Sequence, residues 1–363
     1  SLTLTINTGK VGSRATAWTT DPAGSNKTQT ENKINRLTVG IFSSDGSTVK
    51  TIVELTPGQT GGNTLTTDGT TAKIVTTSLA ANDQVLVAVN APTGKFAGVA
   101  NATAFKAVKE DAKDALTDGS SEATEIATNV PMFGENILSG TGSVFTAAVS
   151  VQHQLAKITL DDLEVAFDAN GPYKEAEFTP TEFFLVNVPE KLAFNSNAWV
   201  NGASHLHGMS STTYSSLTAA TEWGTYKEYL SSAATGSTAL KGTSDTYASK
   251  SYFYVTPCDD ASTNGKMKLI IAGTFKTNSS DAGTTVFYPV AINATYAADG
   301  TPSAATNGGA DVFKVYPNKN YKCKVVIKTI GTINPTKNLD PQTATVTVTV
   351  DNFVEASQTT TFE

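Results

Sequence analysis

Ser204-His205-Leu206-His207-Gly208 sets two imidazoles at alternate positions, a spacing at which side chains on one face of a strand can share a metal ion. The chain holds one further histidine, His153, and no acidic residue beside the pair has ligand spacing, so a solvated loop pair is expected and no metal site. Asp161-Asp162 and Asp259-Asp260 bring to mind the acid and nucleophile of a glycosidase. Adjacent strand residues point to opposite faces, so neither pair converges, and turn residues next to strands are the simpler account. The nucleophile elbow, the phosphate loop, the dinucleotide fingerprint and the HExxH zinc motif are all absent from the sequence. Cys323 shares a parity with Tyr321, Val325 and Ile327 and reads as a packed thiol. Cys258 follows Pro257, and a disulfide between the two cysteines stays open. Trp18, Trp199 and Trp223 could stack on sugar rings, but anchoring loops to a sandwich is their expected role. No catalytic residue and no cofactor is expected, and the chain reads as other than an enzyme.

The elements that carry these residues are strands. Only 16% of the 363 residues are charged, against a usual figure of about 25%, and Thr, Ser, Ala, Asn and Gly are abundant. Thr and Val recur along most of the length, and their branched Cβ favours pleated, half-buried surfaces. A net charge of −7 without a basic cluster excludes a nucleic-acid partner. No window approaches the ~20 apolar residues of a transmembrane segment, and no charged-then-apolar signal opens the chain, so an export signal is expected to have been removed.

Residues 1–7 alternate, so that Leu2, Leu4 and Ile6 share one face of a strand with a side to bury. The stretch 9–16 that follows is polar, basic and without an apolar face, and a protease could reach it. Strands are predicted over 34–43, 49–55, 73–77, 84–90, 144–151 and 156–160, with Asp45-Gly46 as a hairpin turn. Phe105, Val108, Ala112 and Leu116 fall at helical spacing and predict the one helix over 103–116. Further strands are expected over 163–167, 182–188, 251–256, 266–275, 285–292, 320–329 and 343–350. The polar segment between Pro189 and Lys250 is expected to form surface loops. The fold class is all-β, with two β-sandwich domains divided near Ser150, at 1–150 and 151–363, and one short helix in the first.

The C-terminal region is the most specific. Tyr316-Pro317-Asn318-Lys319-Asn320-Tyr321 leads a strand, Gly331-Thr332-Ile333-Asn334-Pro335 a loop and Leu339-Asp340-Pro341 the final strands, which close on Val346-Thr347-Val348-Thr349-Val350-Asp351-Asn352-Phe353. This resembles the fimbrillins, shaft subunits of the type V pili of Bacteroides-like bacteria, whose members often carry Trp where this chain has Phe353. The likeness also takes in the first strand, the connector with its Arg14-Ala15 bond, the 34–42 strand, the helix and a loop at Pro131-Met132-Phe133-Gly134.

The resemblance implies transthyretin-like, Greek-key sandwiches and a lipidated, exported precursor that forms a fimbrium attached to the outer membrane. It implies cleavage between Arg14 and Ala15 by an arginine-specific surface protease, which frees a removable strand carrying Leu2, Leu4 and Ile6. A donor strand with Phe353, Val354, Ala356 and Phe362 from a neighbouring pilus subunit would then enter the groove. Independently of the family, a sandwich missing an edge strand exposes unpaired backbone groups until another strand fills it, and head-to-tail repetition builds a filament. Host or bacterial surface receptors are further expected partners. Two rival readings are a tip or anchor adhesin of the same superfamily and a carbohydrate-binding surface module.

Overall fold

The computed structural model of the chain describes residues 1–8, 31–112, 115, 129–200, 204–209, 225–226, 228–249, 251–259, 266–296, 302–304, 313–335 and 344–352. The chain folds as two units, one built from residues 1–155 with residues 191–200 and Asn352, the other from residues 156–190 with residues 201–351. Both are built from strands.

In the first unit the strands run β1 (Leu2–Thr8), β2 (Leu37–Phe42), β3 (Val49–Leu55), β4 (Thr64–Leu65), β5 (Thr71–Ile74), β6 (Gln84–Val89), β7 (Lys109–Asp111), β8 (Met132–Ile137), β9 (Ser139–Thr141) and β10 (Val144–His153). They pair in the order β3-β2-β6-β8-β10-β1-β5-β4, with β9 on β10. Strand β10 belongs to both halves of that path: residues 145–151 pair with β1, while Gln152 and His153 pair with β8. Leu37, Val39, Ile41, Val85, Val87 and Val89 from one half and Leu2, Leu4, Ile6, Ala72 and Ile74 from the other bury together, which makes a sandwich around one core.

The opposite face of β2 is buried as well. Phe105 packs edge-on against Phe42 with centroids 5.9 Å apart, and Phe96 lies between Phe105 at 4.2 Å and Phe194 at 5.4 Å. Gly40 makes room for these rings, since a Cβ there would sit 2.7 Å from the Phe42 ring and 2.9 Å from that of Phe105. Phe105 is carried by a helix of only five residues, Ala102–Lys106, whose Asn101 cap accepts the Ala104 N–H at 2.8 Å. The predicted helix over 103–116 is therefore interrupted: the chain leaves it over 107–111, while Ala112 and Ala115 are helical again. Residues 109–111 are extended because they pair as β7 with β14 (Lys191–Ala193), a partner about eighty residues away that local spacing cannot reveal. A second correction concerns 131–134: Met132, Phe133 and Gly134 are the first residues of β8, a central strand between β6 and β10, and not a loop.

The second unit holds β11 (Ala156–Val165), β12 (Glu177–Val186), β13 (Val188–Pro189), β15 (His205–His207), β16 (Thr225–Tyr226), β17 (Ser231–Ala233), β18 (Leu240–Lys241), β19 (Asp245–Thr246), β20 (Ser251–Val255), β21 (Lys268–Lys276), β22 (Thr284–Ala291), β23 (Thr295–Tyr296), β24 (Pro302–Ala304), β25 (Lys319–Ile327) and β26 (Ala344–Asn352). Its two larger sheets are ordered β19-β11-β25-β26, with β20 on β11, and β17-β12-β21-β22, with β18 on β12. Ring pairs join them: Phe167, just after β11, meets Phe275 of β21 at 5.9 Å, and Tyr247, just after β19, meets Phe183 of β12 at 5.5 Å. The edge of β22 is covered, because Phe287 and Thr332 exchange backbone hydrogen bonds of 2.7 and 3.0 Å.

Candidate functional site: the seat of the first strand

Strand β1 forms because Leu2, Leu4 and Ile6 turn inward while Thr3, Thr5 and Asn7 stay in solvent. The three inward side chains are between 0 and 2% exposed. Burial of residues this size contributes roughly 1.5–3 kcal/mol each. The strand is hydrogen-bonded on both sides. It runs parallel to β10, with Leu2 opposite Phe145, Leu4 opposite Ala147 and Ile6 opposite Val149. It runs antiparallel to β5, with Leu2 opposite Ile74 and Leu4 opposite Ala72. Past the end of β5 the Ile6 N–H still donates to the Thr70 carbonyl oxygen at 2.8 Å, and at the other end the Phe145 N–H donates to the Ser1 carbonyl oxygen at 3.1 Å.

An edge position was expected for the strand of a vacated groove, and the structure differs: β1 is interior to its sheet. Parallel pairing needs a long crossover, here from residue 8 to residue 144, so it cannot be read from local sequence. Without β1, two rows of backbone groups, on β5 and on β10, would lack partners. The seat is thus a slot with two hydrogen-bonding walls and an apolar floor.

The sequence singled out Leu2, Leu4 and Ile6, and the structure brings them together in this slot. It does not bring in the others: Arg14, Ala15, Phe353, Val354, Ala356 and Phe362 lie outside the described residues. The chain before Phe353 forms β26, next to β25 at the end of its sheet. Sequence reasoning missed the walls of the slot. Ala72 and Ala147 are small residues with nothing distinctive beside them in sequence, and only their pairing across β1 gives them a role.

The remaining candidates serve packing. His205 and His207 are on strand β15 rather than in a loop, and His207 is buried. The Asn187 N–H donates to its Nδ1 at 3.1 Å, and burial, with the neighbouring His205 charge second, lowers its pKa to about 4. Among the described residues no three His, Cys, Asp or Glu side chains gather as a metal site. His153 is buried, with Nε2 donating to the Glu31 carbonyl oxygen at 3.0 Å. Asp161 and Asp162 lie inside β11 at a bulge rather than in a turn, and Asp162 pairs with Lys324 at 3.0 Å. Cys258 and Cys323 are both buried and not disulfide-bonded, and burial, reinforced by the charge of Asp161, pushes the Cys323 thiol up to about 12. Trp199 is half-buried, whereas Trp18 and Trp223 fall outside the described residues.

The family model described as major fimbrial subunit protein (FimA) matches residues 1–160, the part of the chain that contains the slot. No curated protein matches the chain. Among solved structures, a fimbrilin from Porphyromonas gingivalis is 18% identical with a TM-score of 0.62, over 98% of either chain. A candidate cell adhesion protein from Bacteroides eggerthii is 21% identical with a TM-score of 0.61, over 97% of this chain and 95% of its own. Another from Parabacteroides distasonis is 14% identical with a TM-score of 0.64, over 98% of both. At these identities the likeness is one of fold.

Proposed function

We propose, from the match of residues 1–160 to the major fimbrial subunit family model, that this chain is a pilus shaft subunit that polymerises by exchanging β1 for a strand of a neighbouring copy. A structural role at the cell surface, and not catalysis, goes with that family. Related pilus subunits are its assembly partners.

The observation that carries the reading is the seat of β1. A strand that fills a two-walled slot with three inward apolar side chains is a separable part whose loss leaves a demanding vacancy. The connector after it contains Arg14, one of only two arginines in the chain. Cutting the Arg14-Ala15 bond would turn β1 into a peptide free to leave. A segment of another copy, with Phe353, Val354, Ala356 and Phe362, would then add itself between β5 and β10 by the same main-chain bonds. Such an exchange joins unlike ends of two copies, so repetition extends a filament instead of closing a ring.

The same reading takes the chain to be exported as a lipidated precursor, cut by an arginine-specific surface protease, held in a fimbrium attached to the outer membrane and presented to host or bacterial receptors. Among the described residues no helix is long and apolar enough to cross a membrane.

The test is electron microscopy of the purified chain before and after an arginine-specific protease. Filaments in the cut sample alone are expected. A cut sample that remains monomeric at high concentration overturns the proposal.

A further inference from the structure

The slot is not uniform along its length. At its first row Leu2 lies between Ile74 and Phe145, both large. At the third, Ile6 lies beside Val149 on one wall, and on the other its N–H donates to the Thr70 carbonyl oxygen. At the middle row Leu4 has alanine on both sides, Ala72 on β5 and Ala147 on β10. All three residues are buried, with Leu4 and Ala72 at 0%.

Directly opposed side chains in a sheet have Cβ atoms about 4.5–5.5 Å apart and share the space above the pleat. Two methyl groups leave most of that space to the central residue. Leu4 fills it, and interiors pack densely enough that a smaller residue there would leave a void which Ala72 and Ala147 cannot close.

We propose that the row Ala72, Leu4 and Ala147 determines which strand the slot accepts: an entering strand must bring a side chain of at least leucine size to that row. The inference rests on the exchange reading above. It makes the two alanines specificity-determining residues of assembly, with an extended peptide segment of a second copy as their ligand.

The probes are fluorescent eight-residue peptides with the sequence of residues 1–8, unchanged or with Leu2→Ala or Leu4→Ala, offered to the full chain after cleavage by an arginine-specific protease. Binding is read by anisotropy. The unchanged peptide is expected to bind, and the Leu4→Ala peptide to bind at least about 30-fold more weakly, as for a Leu→Ala cavity in a core. The decisive arm is a size swap: a chain carrying Ala147→Leu should prefer the Leu4→Ala peptide to the unchanged one, yet gain nothing for the Leu2→Ala peptide. Ala72→Val, the smaller change on the other wall, repeats the swap should Ala147→Leu not fold. Peptide binding that is indifferent to the fourth position, or no inversion on either variant, overturns the role of the row while leaving exchange intact. A cut chain that binds no peptide at all overturns the exchange reading and the row together.

Discussion

The Ile6 N–H donates to the Thr70 carbonyl oxygen at 2.8 Å, one step beyond the last paired residue of β5, so the first strand is bonded on its second edge over almost its full length. Any route that removes this strand must break two ladders at once. Spontaneous release from an uncut chain is correspondingly rare, because the connector keeps the strand at high local concentration.

Limited digestion with an arginine-specific protease should cut first after Arg14 and give a product beginning Ala-Thr-Ala-Trp. The only other arginine, Arg36, is held by its Nη1, which donates to the Ala91 carbonyl oxygen at 2.8 Å, and it directly precedes β2. N-terminal sequencing that reads a first cut after Arg36 contradicts this.

Three forms of the chain should separate on size exclusion. The uncut form should run as a monomer, a form lacking residues 1–14 should assemble, and a form that also lacks residues 352–363 should not. Of Val354, Ala356 and Phe362, which share a parity, only Phe362 exceeds leucine in size, so Phe362→Ala should slow assembly more than Phe362→Leu does. Assembly by the C-terminally shortened form would mean that the donor lies elsewhere.

Gly134→Ala should destabilise the first unit by about 1–3 kcal/mol. A Cβ at this position of β8 would stand 2.3 Å from the Ser150 carbonyl oxygen and 2.9 Å from Val149, so β8 and β10 would be forced apart. Urea unfolding followed in the Gly134→Ala chain checks it, and an unchanged midpoint refutes it.

His207 should make the second unit less stable in acid. Its folded pKa, about 4, is below the ordinary histidine value of 6.5, so the unfolded chain takes up the proton first. Stability is then full above pH 6.5, declines as the pH falls towards 4 and is lost by an amount on the order of 3 kcal/mol once both states are charged. Protonation also removes the Nδ1 lone pair that accepts the Asn187 N–H. A His207→Gln chain should show a flatter profile between pH 6.5 and 4, and an equal slope would rule His207 out as its source.

Native Cys323 should resist thiol reagents at pH 8, since its thiol is buried and its pKa lies near 12. Reduction should leave the melting temperature unchanged, because the two cysteines form no disulfide. A loss of several kcal/mol on reduction, as breaking a native disulfide causes, would show otherwise.

Much of this architecture is legible wherever one face of a strand is wet. The alternation of Leu2, Leu4 and Ile6 with Thr3, Thr5 and Asn7 predicts β1 and its inward face directly. Alternation fails for β8, where Met132 and Phe133 are both buried and Pro131 and Gly134 bracket them like a turn. The overlong helix fails for a related reason: Phe105 and Val108 keep helical spacing, but pairing of β7 with β14 takes the chain away at residue 109. The candidate slot is legible only in its occupant. Nothing beside Ala72 or Ala147 announces that a leucine will stand between them, because that meeting depends on a parallel pairing across more than a hundred residues.

Residues 191–200 pack with the first unit, supplying Phe194 to Phe96 and β14 to β7. On the ribosome this has a cost in time. When residue 155 has left the tunnel the sandwich has its strands, but its aromatic outer face waits for another 45 residues, roughly 2–9 s of synthesis at ~5–20 residues per second. For that interval the nascent chain shows Phe96 without the ring of Phe194, a sticky surface suited to a holding chaperone until translation brings residues 191–200.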